Sequence, residues 1–111
     1  MRLVIIPSDK FVLIDGVGYY NLELSSIGEN VHAVQWYGDS GSIEIKDVAT
    51  GKIVENVDIS DISQFQSAID AWNVADAAEK ERIAAEKAAA ERLAAEIEAA
   101  KKLMEQTDVP A

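Results

Sequence analysis

Apolar and polar positions alternate in one half of this chain and recur every three to four residues in the other. Leu3-Val4-Ile5-Ile6 is an unbroken apolar run closed by Pro7. It predicts a strand over Arg2–Ile6 at a sheet edge or a chain terminus, where proline's missing N–H does least harm. Phe11–Ile14 and residues 17–20 flank Asp15-Gly16, a pair suited to a type I′ hairpin turn because both central residues need positive φ. A third apolar strand is expected over Val31–Tyr37. Gly38-Asp39-Ser40-Gly41 then reads as a turn into residues 42–46, where Ile43 and Ile45 alternate with Ser42, Glu44 and Lys46. Such alternation marks a sheet with one solvated face. Thr50-Gly51 leads into a further strand over 52–57. Connections this short favour an antiparallel meander over parallel βαβ units.

Near Asp58 the pattern changes. All six glycines and all three tyrosines lie before it, and Ala, Glu, Lys and Arg dominate after it. Ser60 or Asp61 can cap a helix, its side-chain oxygen accepting a first-turn N–H. From Ile62 to about Gln106 nothing interrupts that helix, and Pro110 lies beyond its end. At 1.5 Å per residue it extends roughly 65–70 Å, too long for a sheet of some 57 residues to cover. The expected class is α+β: an antiparallel β domain over 1–57, then one long helix (62–106) within 58–111.

With Ile62 at heptad position a, the a series is Ile62, Ile69, Asp76, Ile83, Ala90, Ile97 and Met104. The d series is Phe65, Trp72, Glu79, Glu86, Leu93 and Ala100. Two carboxylates in the d series break a continuous zipper, since a seam does not stack unpartnered charges. The stripe of Ile62, Phe65, Ile69 and Trp72 is therefore expected to pack on the sheet, which alone has little core. A second stripe of Ile83, Ala90, Leu93, Ile97 and Met104, with Leu103 beside it, is expected to oligomerise or dock on a partner. Isoleucine at successive a positions allows assemblies larger than dimers, and a trimer is the first expectation. High alanine propensity and i,i+4 pairs such as Arg82–Glu86 and Glu98–Lys102 support the helix between.

The chain has 111 residues and a net charge of −10, with no cysteine. Residues 1–57 carry eight acids against four bases and residues 58–111 twelve against six, so the acidity is shared. No basic face is available to displace counterions from nucleic-acid phosphates, and anionic membrane surfaces are disfavoured for the same reason. The opening apolar run is too short for a signal peptide, and no stretch reaches the roughly 20 apolar residues of a membrane span. A soluble protein made in a cytoplasm is expected.

Candidate chemistry is sparse. His32 is the sole histidine and sits within a predicted strand, as a structural residue with one satisfied nitrogen would. No cluster matches a zinc site. Gly16-Val17-Gly18 lacks the third glycine and following helix of a phosphate cradle. Asp39-Ser40-Gly41 lacks the rest of a calcium loop. The helical glutamates are interleaved with bases, as on a solvated face. No catalytic, cofactor-binding or metal-binding residue is expected, and the chain reads as non-enzymatic. Tyr19, Tyr20 and Tyr37 are candidate anchors of an aromatic partner surface. Trp36 and Tyr37 point to opposite faces of one strand, so one of them belongs to the core.

Val31-His32-Ala33-Val34-Gln35-Trp36-Tyr37-Gly38, with Gly41-Ser42-Ile43-Glu44 after it, resembles a stretch of small tail proteins of tailed bacteriophages. Ile5-Ile6-Pro7-Ser8-Asp9-Lys10, Ile14-Asp15-Gly16-Val17 and Ile69-Asp70-Ala71-Trp72-Asn73 fit the same likeness, which covers roughly residues 1–76. Such proteins are described as tail-fibre assembly proteins or tail assembly chaperones. The proline-rich middle and terminal aromatic motif of the best-known of them are absent here. The resemblance implies a place in the host cytoplasm during assembly or in the virion tail, with phage tail or tail-fibre proteins as partners. Taken with the helix, it leads to the expectation of a homo-oligomeric structural adaptor or appendage of the tail region. The alternative is an assembly chaperone that leaves before the virion matures. A third reading is an acidic inhibitor of a host nucleic-acid-binding protein, its carboxylates standing in for phosphates.

Overall fold

A computed structural model describes residues 1–107. Six strands form one antiparallel sheet: β1 (Arg2–Ile6), β2 (Phe11–Ile14), β3 (Val17–Tyr19), β4 (Val31–Tyr37), β5 (Ser40–Lys46) and β6 (Ile53–Ile59). One helix, α1 (Gln66–Thr107), follows them. The class is α+β. In space the strands run β3-β2-β1-β4-β5-β6. This is not a single meander as expected. Two three-stranded meanders are joined by pairing β1 with β4, and the 20–30 connection carries the chain from the β3 edge back to the centre.

That pairing puts β1 in the middle of the sheet, so of the two places expected for it the sheet edge does not hold, while it is the first strand in chain order. Pro7 is tolerated because it stands just past the strand, at the start of a 3₁₀ turn (Pro7–Asp9) whose own geometry it favours. The Asp15-Gly16 turn has positive φ at both residues, 48° and 86°. It is tied to the first strand, where the Arg2 N–H donates to Asp15 Oδ1 at 2.8 Å.

Gly38 and Asp39 alone make the next turn, so β5 begins at Ser40, two residues earlier than expected. Gly41 is a strand residue opposite Trp36. A Cβ there would lie 2.1 Å from the Gln35 carbonyl oxygen and 3.0 Å from the Trp36 ring. Close approach, rather than a turn, is what requires this glycine.

The helix also begins later than Ile62. Residues Ser63–Phe65 form a 3₁₀ turn before α1. Asp61, one of the two expected caps, serves that turn: its carboxylate accepts the Ser63 N–H at 2.9 Å and the Ser63 hydroxyl at 2.7 Å. These bonds hold the Asp61 carboxyl below the usual aspartate range.

The chain divides by packing into a unit spanning Met1–Asp76 and a second beginning at Ala77. Composition changes at 57/58, but the first unit continues to Asp76 because its core takes in the start of the helix. Leu3, Ile5, Val12, Ile14, Val34, Trp36 and Ile43 supply the inner sheet face, and Phe65 and Ala68 cover it. Leu22 and Leu24, from the connection before β4, complete the core. Ile62, Ile69 and Trp72 lie half-buried against it.

Phe65 is 3% exposed. Phe65→Ala should therefore lower the unfolding free energy by about 3–5 kcal/mol, measured by urea denaturation followed through tryptophan fluorescence. A loss below about 1 kcal/mol would place that ring outside the core.

Candidate functional site

The aromatic residues fall into two environments. Tyr19 faces inward: its ring meets the Trp72 ring edge-on at 5.7 Å, and its hydroxyl donates to Asp76 Oδ1 at 2.8 Å. The Trp72 indole N–H donates to the Val17 carbonyl at 2.9 Å. Tyr19 thus ties strand to helix and is half-buried there, unlike Tyr20 and Tyr37, with which the sequence grouped it. Its position opposite Val12, a core residue, explains why. Trp36 is the core member of its pair, its indole N–H donating to the Gly38 carbonyl.

Tyr20 and Tyr37 are exposed. Both stand on the sheet face opposite the core. The alternation that sends Leu3, Ile5, Val12 and Ile14 inward sends Val4, Ile6, Phe11 and Leu13 outward. Cross-strand register then places Val4 beside Leu13 and Ile6 beside Phe11. The Phe11 ring lies 4.6 Å from Tyr20 and over Gly18, whose missing Cβ leaves the space for it. The result is an apolar patch on the β1–β3 half of the outer face. Its signal in the sequence was the unbroken run in β1, where both faces are apolar.

The other half of this face is polar. The Arg2 guanidinium sits 3.9 Å from the centre of the Tyr37 ring and donates to Gln35 Oε1 and the Tyr37 hydroxyl, each at 3.2 Å. Such stacking is worth about 0.5–1 kcal/mol at an exposed site. Glu44 and Asn56, paired across β5 and β6, continue it. His32 occupies a bulge between Val31 and Ala33, its Nε2 3.9 Å from Glu44. It is half-exposed rather than enclosed.

A concavity of about 480 Å³ lies beside the 3₁₀ turn after β1, lined in part by Ser8, Lys10, Glu23, Ile27, Glu29 and Lys46. Two ammonium groups face two carboxylates there, so it favours neither anion nor cation. Glu23 is held low by Ser25, whose backbone N–H it accepts at 3.0 Å.

In the second unit, every residue from 80 to 106 is exposed. Ile83, Leu93, Ile97 and Met104 stand between 47% and 70% open, and Ala90 is the a position between Ile83 and Ile97. Upstream, Arg82 bridges Glu79 and Glu86 on its own helix. The two carboxylates that interrupt the d series therefore share one cation. The i,i+4 Arg82–Glu86 pair was legible in the sequence. The i,i+3 partner Glu79 was overlooked, though its spacing offered the signal. Hydrogen bonds from Arg82 hold the Glu79 carboxyl below the usual glutamate range.

Among the described residues no group of three or more His, Asp or Glu side chains is placed to hold a metal ion. None of the described helices is long and apolar enough to cross a membrane. No family model, curated protein or solved structure matches this chain.

A carboxyl with a lowered folded-state pKa stabilises the fold above its unfolded value and ceases to as pH falls through the lowered one. By NMR, Glu79 should titrate below its ordinary 4.5. Arg82→Ala should move that midpoint back up toward 4.5 and make the helical circular-dichroism signal less sensitive to acid in this range. A midpoint unmoved by the substitution would mean that the bridge does not persist in solution.

Proposed function

We propose that this chain is a non-enzymatic structural part of a bacteriophage tail or tail-fibre region. Its helix joins copies of the chain into a trimer, and its sheet unit engages a tail component during assembly in the host cytoplasm. One observation carries the reading: Ile83, Ala90, Leu93, Ile97 and Met104 form an exposed row along the helix. Rows of large apolar residues at heptad spacing are buried by association, and isoleucine at a positions suits symmetric bundles larger than two. The resemblance of residues 1–76 to small phage tail proteins supplies the biological setting.

The outer apolar patch of Val4, Ile6, Phe11, Leu13 and Tyr20 favours a second reading. A surface of that kind suits an assembly chaperone that shields apolar parts of a tail-fibre chain and then departs.

Light scattering after gel filtration should give three times the 12.0 kDa chain mass. Ile83→Asp combined with Ile97→Asp should reduce it to one chain while leaving the near-ultraviolet circular dichroism of Trp36 and Trp72 unchanged. A monomer at every concentration from micromolar to millimolar would overturn the self-association.

A further inference from the structure

We infer that copies of this chain associate in parallel and in register, with Glu96 of one helix paired to Lys101 of the next. The inference rests on the self-association proposed above and names its orientation and its specificity-determining charges.

Heptad phase sets the argument. With Ile83, Ala90, Ile97 and Met104 at a, the e positions flanking the seam are Lys80, Lys87, Ala94 and Lys101. The g positions on its other side are Arg82, Ala89, Glu96 and Leu103. Antiparallel helices bring e against e and g against g. On this chain that sets lysine against lysine, or against Ala94, in every register of the e side. On the g side a single register sets Arg82 against Glu96, twice by symmetry, but Arg82 is already bound to Glu79 and Glu86 of its own helix, and that register opposes Lys87 to its own copy.

Parallel helices instead bring g against the e position five residues further on in the neighbour. That pairs Glu96 with Lys101, an attractive contact in the middle of the Leu93–Met104 zone. It pairs Ala89 with Ala94, which is neutral and permits close approach. The remaining contact sets Arg82 beside Lys87. There the guanidinium is already bound to Glu79 and Glu86 of its own helix, so its charge is compensated before a neighbour arrives. The same bridge compensates Glu79 and Glu86, the two carboxylates of the d series.

The test exploits the absence of cysteine from the chain. Ala90→Cys and Met104→Cys are made singly, with Ala88→Cys, on the opposite side of the helix, as a control. Each is oxidised at micromolar concentration and run on a non-reducing gel. Parallel, in-register helices bring each a position onto its own copy, so both seam variants should form cross-linked dimers and the control should not. If only one seam variant links to itself, or the two link only when mixed, the helices are antiparallel or staggered and the inference fails. Light scattering on the same samples separates this failure from that of the underlying proposal: a mass of one chain would remove self-association altogether.

A charge series adds an independent reading. Glu96→Lys should raise the dissociation concentration severalfold, and adding Lys101→Glu to that variant should restore it. Equal weakening by both variants would mean that Glu96 does not pair with Lys101, and no weakening by either would place the two outside the interface; each outcome overturns the pairing.

Discussion

The packing of Phe65 and Ala68 against Leu3, Ile5, Val12 and Val34 is the contact on which the rest of this structure depends. A sheet of short strands cannot close a core by itself, because half of its apolar residues point to each side. The helix start supplies the missing layer, and a small residue at Ala68 lets its backbone come close. Trp72 then fixes the helix to β3 through the Val17 carbonyl, with Tyr19 wedged between strand and helix. Any substitution that shifts this layer is felt by the inner face as a whole.

The same contact explains why apolar surface remains. The core takes helical residues as far as Ala75, while the helix continues unbroken to Thr107. Its later apolar positions lie in the second unit, where Ile83, Leu93 and Ile97 are exposed. On the sheet, the face turned away from Phe65 keeps Val4, Ile6, Phe11 and Leu13 only half-covered, chiefly by one another and by Tyr20. A helical row and a sheet face left open in this way are what the proposed assembly would bury. With acids in twofold excess, unspecific association is discouraged, and Arg82 shows within its own helix the matching of charges that we propose for Glu96 and Lys101 between helices.

Local chemistry made much of this fold legible. The Asp15-Gly16 turn, the β4 strand and the long helix each follow from a few neighbouring residues whose preferences agree. What was not legible depends on residues distant in sequence. Pro7 suggested a strand at an edge or a terminus, and nothing near it showed that β1 is central in the sheet, where Val31–Tyr37 pairs with it from the far side. Gly41 looked like part of a turn, whereas the Gln35–Trp36 backbone across the ladder is what excludes a side chain there. Leu22 and Leu24 lie in a connection without periodicity, and only the closed core shows why they are apolar. Of the candidate site, the stripe through Ile83 and Ile97 was readable from spacing alone. The half-burial of Tyr19 against the core, and the outer patch around Phe11, follow from β2–β3 register that spacing does not reveal.

The central claim is that this chain is a lasting part of a phage tail, held there as a symmetric bundle. Quantitative mass spectrometry of purified virions of the bacteriophage carrying its gene tests that most directly. The account predicts the chain in mature particles at a copy number that is a multiple of three. Its absence from virions, together with abundance in infected cells, would contradict the account and leave a chaperone or a host-directed inhibitor in its place.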